Sequence, residues 1–365
     1  MHKKISDQIL LILTAIGLLL GSVGLTFFPA ARFSATENRT LAPFPTLTAE
    51  GLRNGTLMQQ LESYATERVP FRGICRKVYG ACELALLRRE AHGVILCRDG
   101  SLLRRLPVNE RAFSQNLTAL SRLCSLAGET PCTVAIAPRR IDARTSLLPH
   151  LYDATRDAAV WERLPSNYVT FPEITDDSCW FRTDHHWTAQ GAYLAYCHLG
   201  EALGYIPYPR AHFESLCVCQ NFYGTSHAAA GLPFIPPDTV CVFRFPEEQH
   251  LRVLRDGEPA AFAGAYDLEK GNTATAYEVF LGGNCGVLCL EMGEQDTRPT
   301  LLVVKDSFAN ALLPLLSLHY RIVALDPRYP TPSPTVLLQE ADHVLFLCGM
   351  QSISESSFFP PAWRR

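Results

Sequence analysis

The C-terminal third of the chain alternates apolar runs with helical segments, and this pattern constrains the fold more than any other feature. Residues 301–304, 322–325 and 343–347 are short runs of aliphatic and aromatic residues. Helical patterns over 308–318 and 335–340 separate them. Continuous apolar runs joined by helices are typical of parallel strands whose crossovers cover the sheet. We therefore predict an α/β domain with a parallel sheet flanked by helices.

The rest of the chain predicts further segments. A helix over 108–126 precedes a buried strand over 132–137, and helical spacing over 52–87 is broken near Pro70. A stretch rich in Pro, Gly and aromatic residues predicts a β-rich elaboration. The expected segments are an anchor over 1–30, a linker and helical segment over 31–90, the main domain over 91–350 with its β-rich part over 205–300, and a tail over 351–365.

An uncharged apolar stretch covers residues 8–28 and follows Lys3 and Lys4. About 20 apolar residues span a bilayer as a helix, and flanking lysines keep their end in the cytoplasm. We expect a single-pass membrane protein with the bulk of the chain outside the cytoplasm. A cleaved signal peptide is the alternative, although its apolar region is usually only ~7–15 residues long.

Charge and cysteine spacing exclude several classes of function. The net charge of -3 gives no basis for binding nucleic acid, which needs clustered Lys and Arg. The 13 cysteines include no CxxC pair, which argues against a zinc ribbon or finger. Gly282 and Gly283 lack the spacing and the Lys of a phosphate loop. We expect no cofactor, and the cysteines mostly as core residues whose disulfide pairing the sequence does not assign.

The first candidate site segment is Asp184-His185-His186-Trp187, which comes just before a predicted helix with Thr188 as its N-cap. In an Asp-x-His arrangement the carboxylate can turn back to orient the imidazole and stabilise its protonated form. His186, oriented by Asp184, is thus a candidate general base.

The second candidate segment joins the 301–304 strand to the next helix, with Ser307 at the turn. Such a turn exposes the hydroxyl at the carboxyl edge of the sheet and directs helix N–H groups towards a developing oxyanion. We predict Ser307 as the nucleophile, although the usual G-x-S-x-G pattern is absent.

Other roles for these residues remain open. A Ser before a helix is most often a cap, and a single His is often a structural hydrogen-bonding group. The Asp-His-His run could also begin a metal site, because carboxylate and imidazole are ordinary ligands. A further ligand would then come from afar, with Asp326, His319 or Asp306 as candidates.

Residues 183–188, with Gly191-Ala192-Tyr193, resemble the signature of the bacterial DHHW protein family, which is similar to the SGNH-hydrolase-like (flavodoxin-like) domains of the alginate O-acetylation proteins AlgJ and AlgX. The resemblance extends over nearly the full chain. Further matching segments are 37–39, 43–45, 69–72, 94–96, 222–225, 281–284, 305–310 and 326–329, and His92 replaces the family's Asn in an Asn-Gly pair.

The resemblance implies a catalytic triad of Ser307, His186 and Asp184, with His185 at the variable position. The order along the chain differs from that of common SGNH hydrolases, but a triad depends only on folded geometry. Asn310, three residues after Ser307, and Asn284, in a Gly-Gly-Asn turn, are candidate oxyanion donors. Candidate substrate-binding residues are His185, Trp187, Arg328 and Tyr329.

The expected function is that of a serine-dependent O-acetyltransferase or acetylesterase acting on an exopolysaccharide or cell-wall glycan. The resemblance also implies a membrane-bound O-acyltransferase as partner, because an acetyl donor has to come from inside the cell. Two alternatives stay open: a non-catalytic protein that binds glycan or organises the envelope, and a metal-dependent hydrolase using Asp184, His185 and His186.

Overall fold

The computed structural model describes residues 12, 15–17, 33–34, 39–69, 71–104, 108–149, 152, 155–232, 234–293, 295–355 and 358–364. The chain divides into two compact units, one of residues 1–92 and 231–233 and one of residues 93–230 and 234–365. The predicted membrane segment over 8–28 lies outside the described residues except at positions 12 and 15–17. Within the described ranges, no helix is long and apolar enough to span a bilayer.

The first unit is mainly helical. Its elements are β1 (Phe33–Ser34), β2 (Arg39–Thr40), α1 (Ala49–Arg53), α2 (Thr56–Glu67), α3 (Arg72–Ala85) and β3 (Glu90–Ala91). Helix α1 begins after Thr48, whose hydroxyl accepts the Gly51 N–H at 3.0 Å. Helices α2 and α3 are separate, so the break predicted near Pro70 is confirmed.

The second unit carries the large sheet. Its strands are β4 (Val94–Leu96), β5 (Leu102–Arg104), β6 (Cys132–Ala137), β7 (Glu214–Phe222), β8 (Asp238–Arg244), β9 (Leu251–Arg255), β10 (Glu258–Pro259), β11 (Val287–Met292), β12 (Thr300–Lys305), β13 (Arg321–Leu325) and β14 (His343–Gly349). Its helices are α4 (Glu110–Leu126), α5 (Arg140–Ala143), α6 (Thr155–Trp161), α7 (Ala189–Leu203), α8 (Thr225–Ala230), α9 (Leu313–Leu316), α10 (Leu337–Glu340) and α11 (Met350–Glu355).

Seven strands form the main sheet, in the order β10-β9-β11-β13-β12-β14-β6. β12 runs parallel to β13 and β14, and β14 runs parallel to β6. β11 runs antiparallel to both β13 and β9, and β10 runs antiparallel to β9. The predicted α/β class is confirmed, but the sheet is mixed and not wholly parallel, because strands β9, β10 and β11 from the predicted β-rich part of the domain join it.

Helices cover both faces of the sheet. Along β12, Leu301 and Val303 pack on one side with residues of α7, and Leu302 and Val304 pack on the other with residues of α4 and α11. All four side chains are at most 1% exposed. Burial on both faces explains why β12 is a continuous apolar run. The carboxyl end of β12 therefore lies at the end of the sheet, between the helices that cover its two faces.

The segment after β12 differs from the single helix predicted over 308–318. It forms a 3₁₀ helix, Ser307–Ala311, followed by the short α9. Pro314 is the reason for the break, because it has no N–H to donate to the carbonyl of residue 310. Helix α10 also differs from its prediction, because it begins at Leu337, two residues later than expected.

Strands β7 and β8 pair with each other outside the main sheet. Cys217 in β7 and Cys241 in β8 are partners in the ladder and form a disulfide. Sequence spacing did not assign the disulfide pairing, and the structure shows it for two of the thirteen cysteines.

Candidate active site

Ser307 lies at the carboxyl end of β12, where Asp306 fixes the turn. One Asp306 oxygen accepts the Phe308 N–H at 2.9 Å, and the other accepts the Gly349 N–H at 2.7 Å and the Ser352 hydroxyl at 2.6 Å. Asp306 is therefore a buried cap that ties the start of the 3₁₀ helix to the end of β14. The Ser307 side chain itself is only partly buried, which leaves it open to a substrate.

The Asp-His segment lies in a tight loop, residues 180–187, whose two ends are joined by a backbone bridge. Trp180 and Trp187 form an isolated antiparallel bridge, and the Thr188 hydroxyl caps α7. The Asp238 carboxylate accepts the N–H groups of Arg182 and Thr183 at 2.8 and 2.7 Å. It also accepts the Thr183 hydroxyl at 2.6 Å. These contacts hold the loop in one shape, and no sequence motif marks Asp238 for this part.

The structure brings Asp184, His186 and Ser307 together. His186 Nε2 lies 2.8 Å from Ser307 Oγ, and His186 Nδ1 lies 2.5 Å from Asp184 Oδ1. The His186 backbone N–H also donates to Asp184 Oδ1, at 3.0 Å. With an aspartate on Nδ1, the imidazole carries its proton there and presents a lone pair from Nε2 to the serine hydroxyl.

The second oxygen of Asp184 is held by Thr225, at the start of α8. The Thr225 N–H donates at 2.7 Å and its hydroxyl at 2.9 Å. Burial of the Asp184 carboxyl acts to raise its pKa, but His186, His185 and the bonds that it accepts outweigh this and hold its pKa well below the usual range. Asp184 is thus a fixed anion that can stabilise a protonated His186.

Gly224 makes room for this carboxylate. A Cβ built on Gly224 would lie 2.3 Å from the Asp184 Cβ and 2.4 Å from its Oδ2. Only glycine permits such a close approach of backbone to side chain. The Tyr223-Gly224-Thr225 segment, which the sequence offered only through a family resemblance, therefore has a defined part in the site.

His185 lies beside the triad but takes no direct part in it. Its Nδ1 is 2.6 Å from the Thr225 hydroxyl, and its ring lies 3.8 Å from that of His186, centroid to centroid. Burial is the main cause that lowers the pKa of His185 to about 3, and the neighbouring His186 also acts to lower it. His185 is therefore neutral when the protein is folded near pH 7.

Tyr277 is a site residue that the sequence did not reveal. Its ring stacks on the His186 imidazole with centroids 4.0 Å apart and an interplanar angle of 8°. Its hydroxyl donates to the Ser307 carbonyl at 3.2 Å. Burial is the main reason that the Tyr277 pKa is far above its usual value, so the hydroxyl stays protonated. Tyr277 links the base to the nucleophile from the Ala276–Val279 3₁₀ helix.

The two asparagine candidates form one hydrogen-bonded pair. Asn310 Nδ2 donates to Asn284 Oδ1 at 3.0 Å, while Asn310 Oδ1 accepts from Lys305 Nζ at 2.6 Å. Asn310 is 1% exposed, its oxygen is bonded to Lys305, and one of its two N–H donors is bonded to Asn284. Asn284 is only partly buried, and its Nδ2 has no bonding partner in the described part of the chain.

The substrate-binding candidates differ in accessibility. Trp187 is 0% exposed and its Nε1 donates to the Phe308 carbonyl at 2.9 Å, so it is not available to contact a substrate. Its ring instead packs edge-on against Phe308. Arg328 forms a two-point ion pair with the fully buried Asp326, at 2.9 and 2.7 Å. Tyr329 is 42% exposed and remains available.

Asp184, His185 and His186 also lie close enough to share a metal ion, with potential ligand atoms within 4.8 Å of one another. None of the three distant ligands proposed from the sequence joins them. Asp326 is paired with Arg328, Asp306 caps the serine turn, and His319 Nε2 lies 2.7 Å from the Tyr196 hydroxyl. Two of the three, Asp184 and His186, are already engaged in the hydrogen-bonded triad, and His185 Nδ1 lies 2.6 Å from the Thr225 hydroxyl.

Similar structures support the fold. A DHHW family protein from Eubacterium siraeum is 19% identical, with 73% of this chain and 94% of that one covered and a TM-score of 0.60. Bacillus cereus PatB1 with a sulfonyl adduct is 19% identical, with 73% and 98% covered and a TM-score of 0.58. The O-acetyltransferase domain of Pseudomonas putida AlgJ is 17% identical, with 74% and 97% covered, and its TM-score of 0.42 is too low to carry an argument.

The sequence comparisons point to one family. No curated protein matches the chain. The family model described as DHHW protein matches residues 168–325. The predicted resemblance to the DHHW protein family is therefore confirmed over residues 168–325, the span that carries Asp184, His186 and Ser307.

Proposed function

We propose that the second unit is an SGNH-hydrolase-like, serine-dependent domain that transfers or hydrolyses the acetyl groups of a polysaccharide or cell-wall glycan. The observation that carries the proposal is the unbroken hydrogen-bonded series from Asp184 through His186 to Ser307, at 2.5 and 2.8 Å. A partly exposed serine next to an oriented base is the arrangement that acyl transfer needs.

The first half-reaction forms an acetyl-serine. His186 Nε2 takes the Ser307 proton as Ser307 Oγ attacks the acetyl carbon, and the ester C=O electrons move to oxygen. The Asp184 carboxylate stabilises the imidazolium that results. When the tetrahedral intermediate collapses, its C–O bond to the alcohol breaks, and His186 returns the proton to the leaving alcohol.

Two N–H groups are the oxyanion donors of this proposal. The Ser307 N–H is the first of the 3₁₀ helix and donates to no acceptor among the residues that the structure describes. The unbonded Nδ2 of Asn284 is the second. Donors that are already fixed in place stabilise developing charge without reorganisation.

The second half-reaction decides between transfer and hydrolysis. His186 deprotonates the attacking hydroxyl, which takes the acetyl carbon from Ser307 Oγ. A sugar hydroxyl gives transfer and water gives hydrolysis. Transfer to a glycan is favoured here by the resemblance of residues 183–188 and 305–310 to the alginate O-acetylation proteins.

The test measures turnover of 4-nitrophenyl acetate by the wild type, Ser307→Ala and a matched control, Ser125→Ala, which alters an exposed hydroxyl bonded within α4. We expect turnover in the wild type and control, none above background in Ser307→Ala, and no effect of EDTA. EDTA sensitivity would favour the metal-dependent alternative. Absence of turnover on any acetyl ester would favour the non-catalytic one. Adding an oligosaccharide and detecting its acetylated product by mass spectrometry distinguishes transfer from hydrolysis.

The same proposal places this domain outside the cytoplasm on an anchor over 8–28 and gives it a membrane-bound O-acyltransferase as donor partner. The support is the uncharged stretch behind Lys3 and Lys4. Protease added to intact cells tests the placement, because only an extracytoplasmic domain would be digested. Co-purification with such an acyltransferase from detergent extracts tests the partner.

A further inference from the structure

Lys305 is a buried cation two residues before the nucleophile, and the mechanism above does not use it. Its side chain is 1% exposed, and its Nζ lies 2.6 Å from Asn310 Oδ1 and 3.9 Å from Asp326 Oδ2. Asp326 is fully buried as well. A charge in such a place needs both a counter-ion and a hydrogen bond. Asp326, which also pairs with Arg328, supplies the first and Asn310 the second. Burial lowers the pKa of Lys305, and Asp326 acts against this and favours the charged form.

The chemistry of the lysine fixes the orientation of two amides. An ammonium group has only donors, so the Asn310 atom beside it has to be the oxygen. The other end of Asn310 is then the NH₂ group, which can only donate. The Asn284 atom that it meets at 3.0 Å therefore has to be Oδ1, which leaves Asn284 Nδ2 on the outer side of the pair.

Two further features direct that NH₂ group towards the reacting oxygen. In a 3₁₀ helix, side chains three residues apart lie one above the other, so Asn310 lies on the same face as Ser307, and Asn284 is bonded to Asn310. Arg255 fixes the Asn284 backbone, since its guanidinium donates to the carbonyls of Gly283 and Asn284 at 3.0 and 3.1 Å. With the Asn284 backbone held, the orientation of its side-chain amide depends on the bond to Asn310.

We propose that Lys305 is a positioning residue which, through Asn310, makes Asn284 present its NH₂ group and not its carbonyl oxygen to the oxyanion. This inference rests on the proposed function. With the amides turned the other way, an oxygen lone pair would face the negative charge, and a stabilising contact would become a repulsive one.

The test compares Lys305→Met, which removes the donor, with Lys305→Gln, which keeps an NH₂ donor on a side chain one atom shorter. We expect Lys305→Met to lower kcat for 4-nitrophenyl acetate at least about tenfold while KM changes less than about twofold, because the contact acts on the transition state. Affinity for phenylboronic acid, whose serine adduct is tetrahedral and anionic, should fall in parallel. Lys305→Gln should recover part of both losses.

A double-mutant cycle separates positioning from general structural damage. In an Asn284→Ala background the donor is already absent, so Lys305→Met should lower kcat no further. An equal loss in both backgrounds, or no loss in either, would overturn the inference. A wild type that neither turns over acetyl esters nor binds the boronate would instead overturn the proposed function.

Asn310→Asp keeps the test decisive if Lys305→Met does not fold. The new carboxylate still accepts from Lys305, but its second oxygen can only accept, so Asn284 has to turn and donate its NH₂ to residue 310. Since removal of one oxyanion donor costs about 10²–10³-fold in kcat, a loss of at least that size is expected. Activity of Asn310→Asp within tenfold of the wild type would contradict the inference.

Discussion

Replacing Asp184 with asparagine tests the proposed triad most directly, because the change preserves shape and removes only charge and acceptor capacity. The two carboxylate oxygens of Asp184 each face a backbone N–H, that of Thr225 at 2.7 Å and that of His186 at 3.0 Å. The NH₂ group of the introduced amide has to oppose one of them. The shorter contact at Thr225 favours the orientation with the oxygen there and the NH₂ group at His186.

In that orientation the introduced NH₂ group donates to His186 Nδ1, and the imidazole proton moves to Nε2, the atom that faces Ser307. His186 then cannot accept the serine proton. A carboxylate-to-amide change that inverts the tautomer in this way costs about 10⁴-fold in kcat, or about 5 kcal/mol of transition-state stabilisation. We expect a loss of that order for Asp184→Asn.

The assay is the single-turnover rate of Ser307 acetylation by 4-nitrophenyl acetate, with folding checked by circular dichroism. Asp238→Asn is the matched control, since Asp238 holds the same loop through Arg182 and Thr183 but does not contact His186. The control should stay within about tenfold of the wild type. A folded Asp184→Asn variant that keeps a tenth or more of the wild-type rate would refute the assigned role of Asp184.

Three further outcomes are expected. Gly224→Ala should lower turnover at least about 10²-fold, because its Cβ would lie 2.3 Å from that of Asp184 and displace the carboxylate; unchanged turnover would contradict the close approach. Trp187→Phe should cost about 1–3 kcal/mol in urea unfolding, because it removes a buried hydrogen bond to the Phe308 carbonyl and part of a buried ring; a loss below about 0.5 kcal/mol would argue against the bond. His185 has a folded pKa of about 3, below its unfolded value of 6.5, so its contribution to stability is complete above pH 6.5 and is lost as pH falls towards 3. The urea concentration at the unfolding midpoint should therefore decrease as the pH is lowered from 7 to 4. The decrease should be less steep in His185→Gln, and equal slopes of midpoint against pH in the two proteins would contradict this.

The sequence predicts the parts of this fold that local pattern determines. The apolar run over 301–304 predicts a strand that is buried on both faces, and β12 is such a strand. Strand direction is different, because antiparallel β11 and parallel β13 carry similar apolar residues. Direction depends on the connections between strands, and a long segment rich in Pro and Gly does not reveal them.

The candidate site shows the same division. Local pattern places His186 and Ser307 each at the end of a recognisable element, and the family resemblance implied that they meet. Tyr277, Asp238 and Arg255 act through contacts made only after folding, and no short motif marks them. Burial also excludes Trp187 as a substrate-binding residue, which composition alone could not show.

The nucleophile and its base belong to segments 121 residues apart in the chain. Neither is activated until the sheet edge and the Asp-His loop have met, so chemical reactivity at Ser307 becomes a reporter of completed folding. Loops that long close late, after helices and hairpins have formed. Pulses of a serine-directed sulfonyl fluoride during refolding would therefore label only fully folded molecules. Circular dichroism would detect partly folded molecules as well.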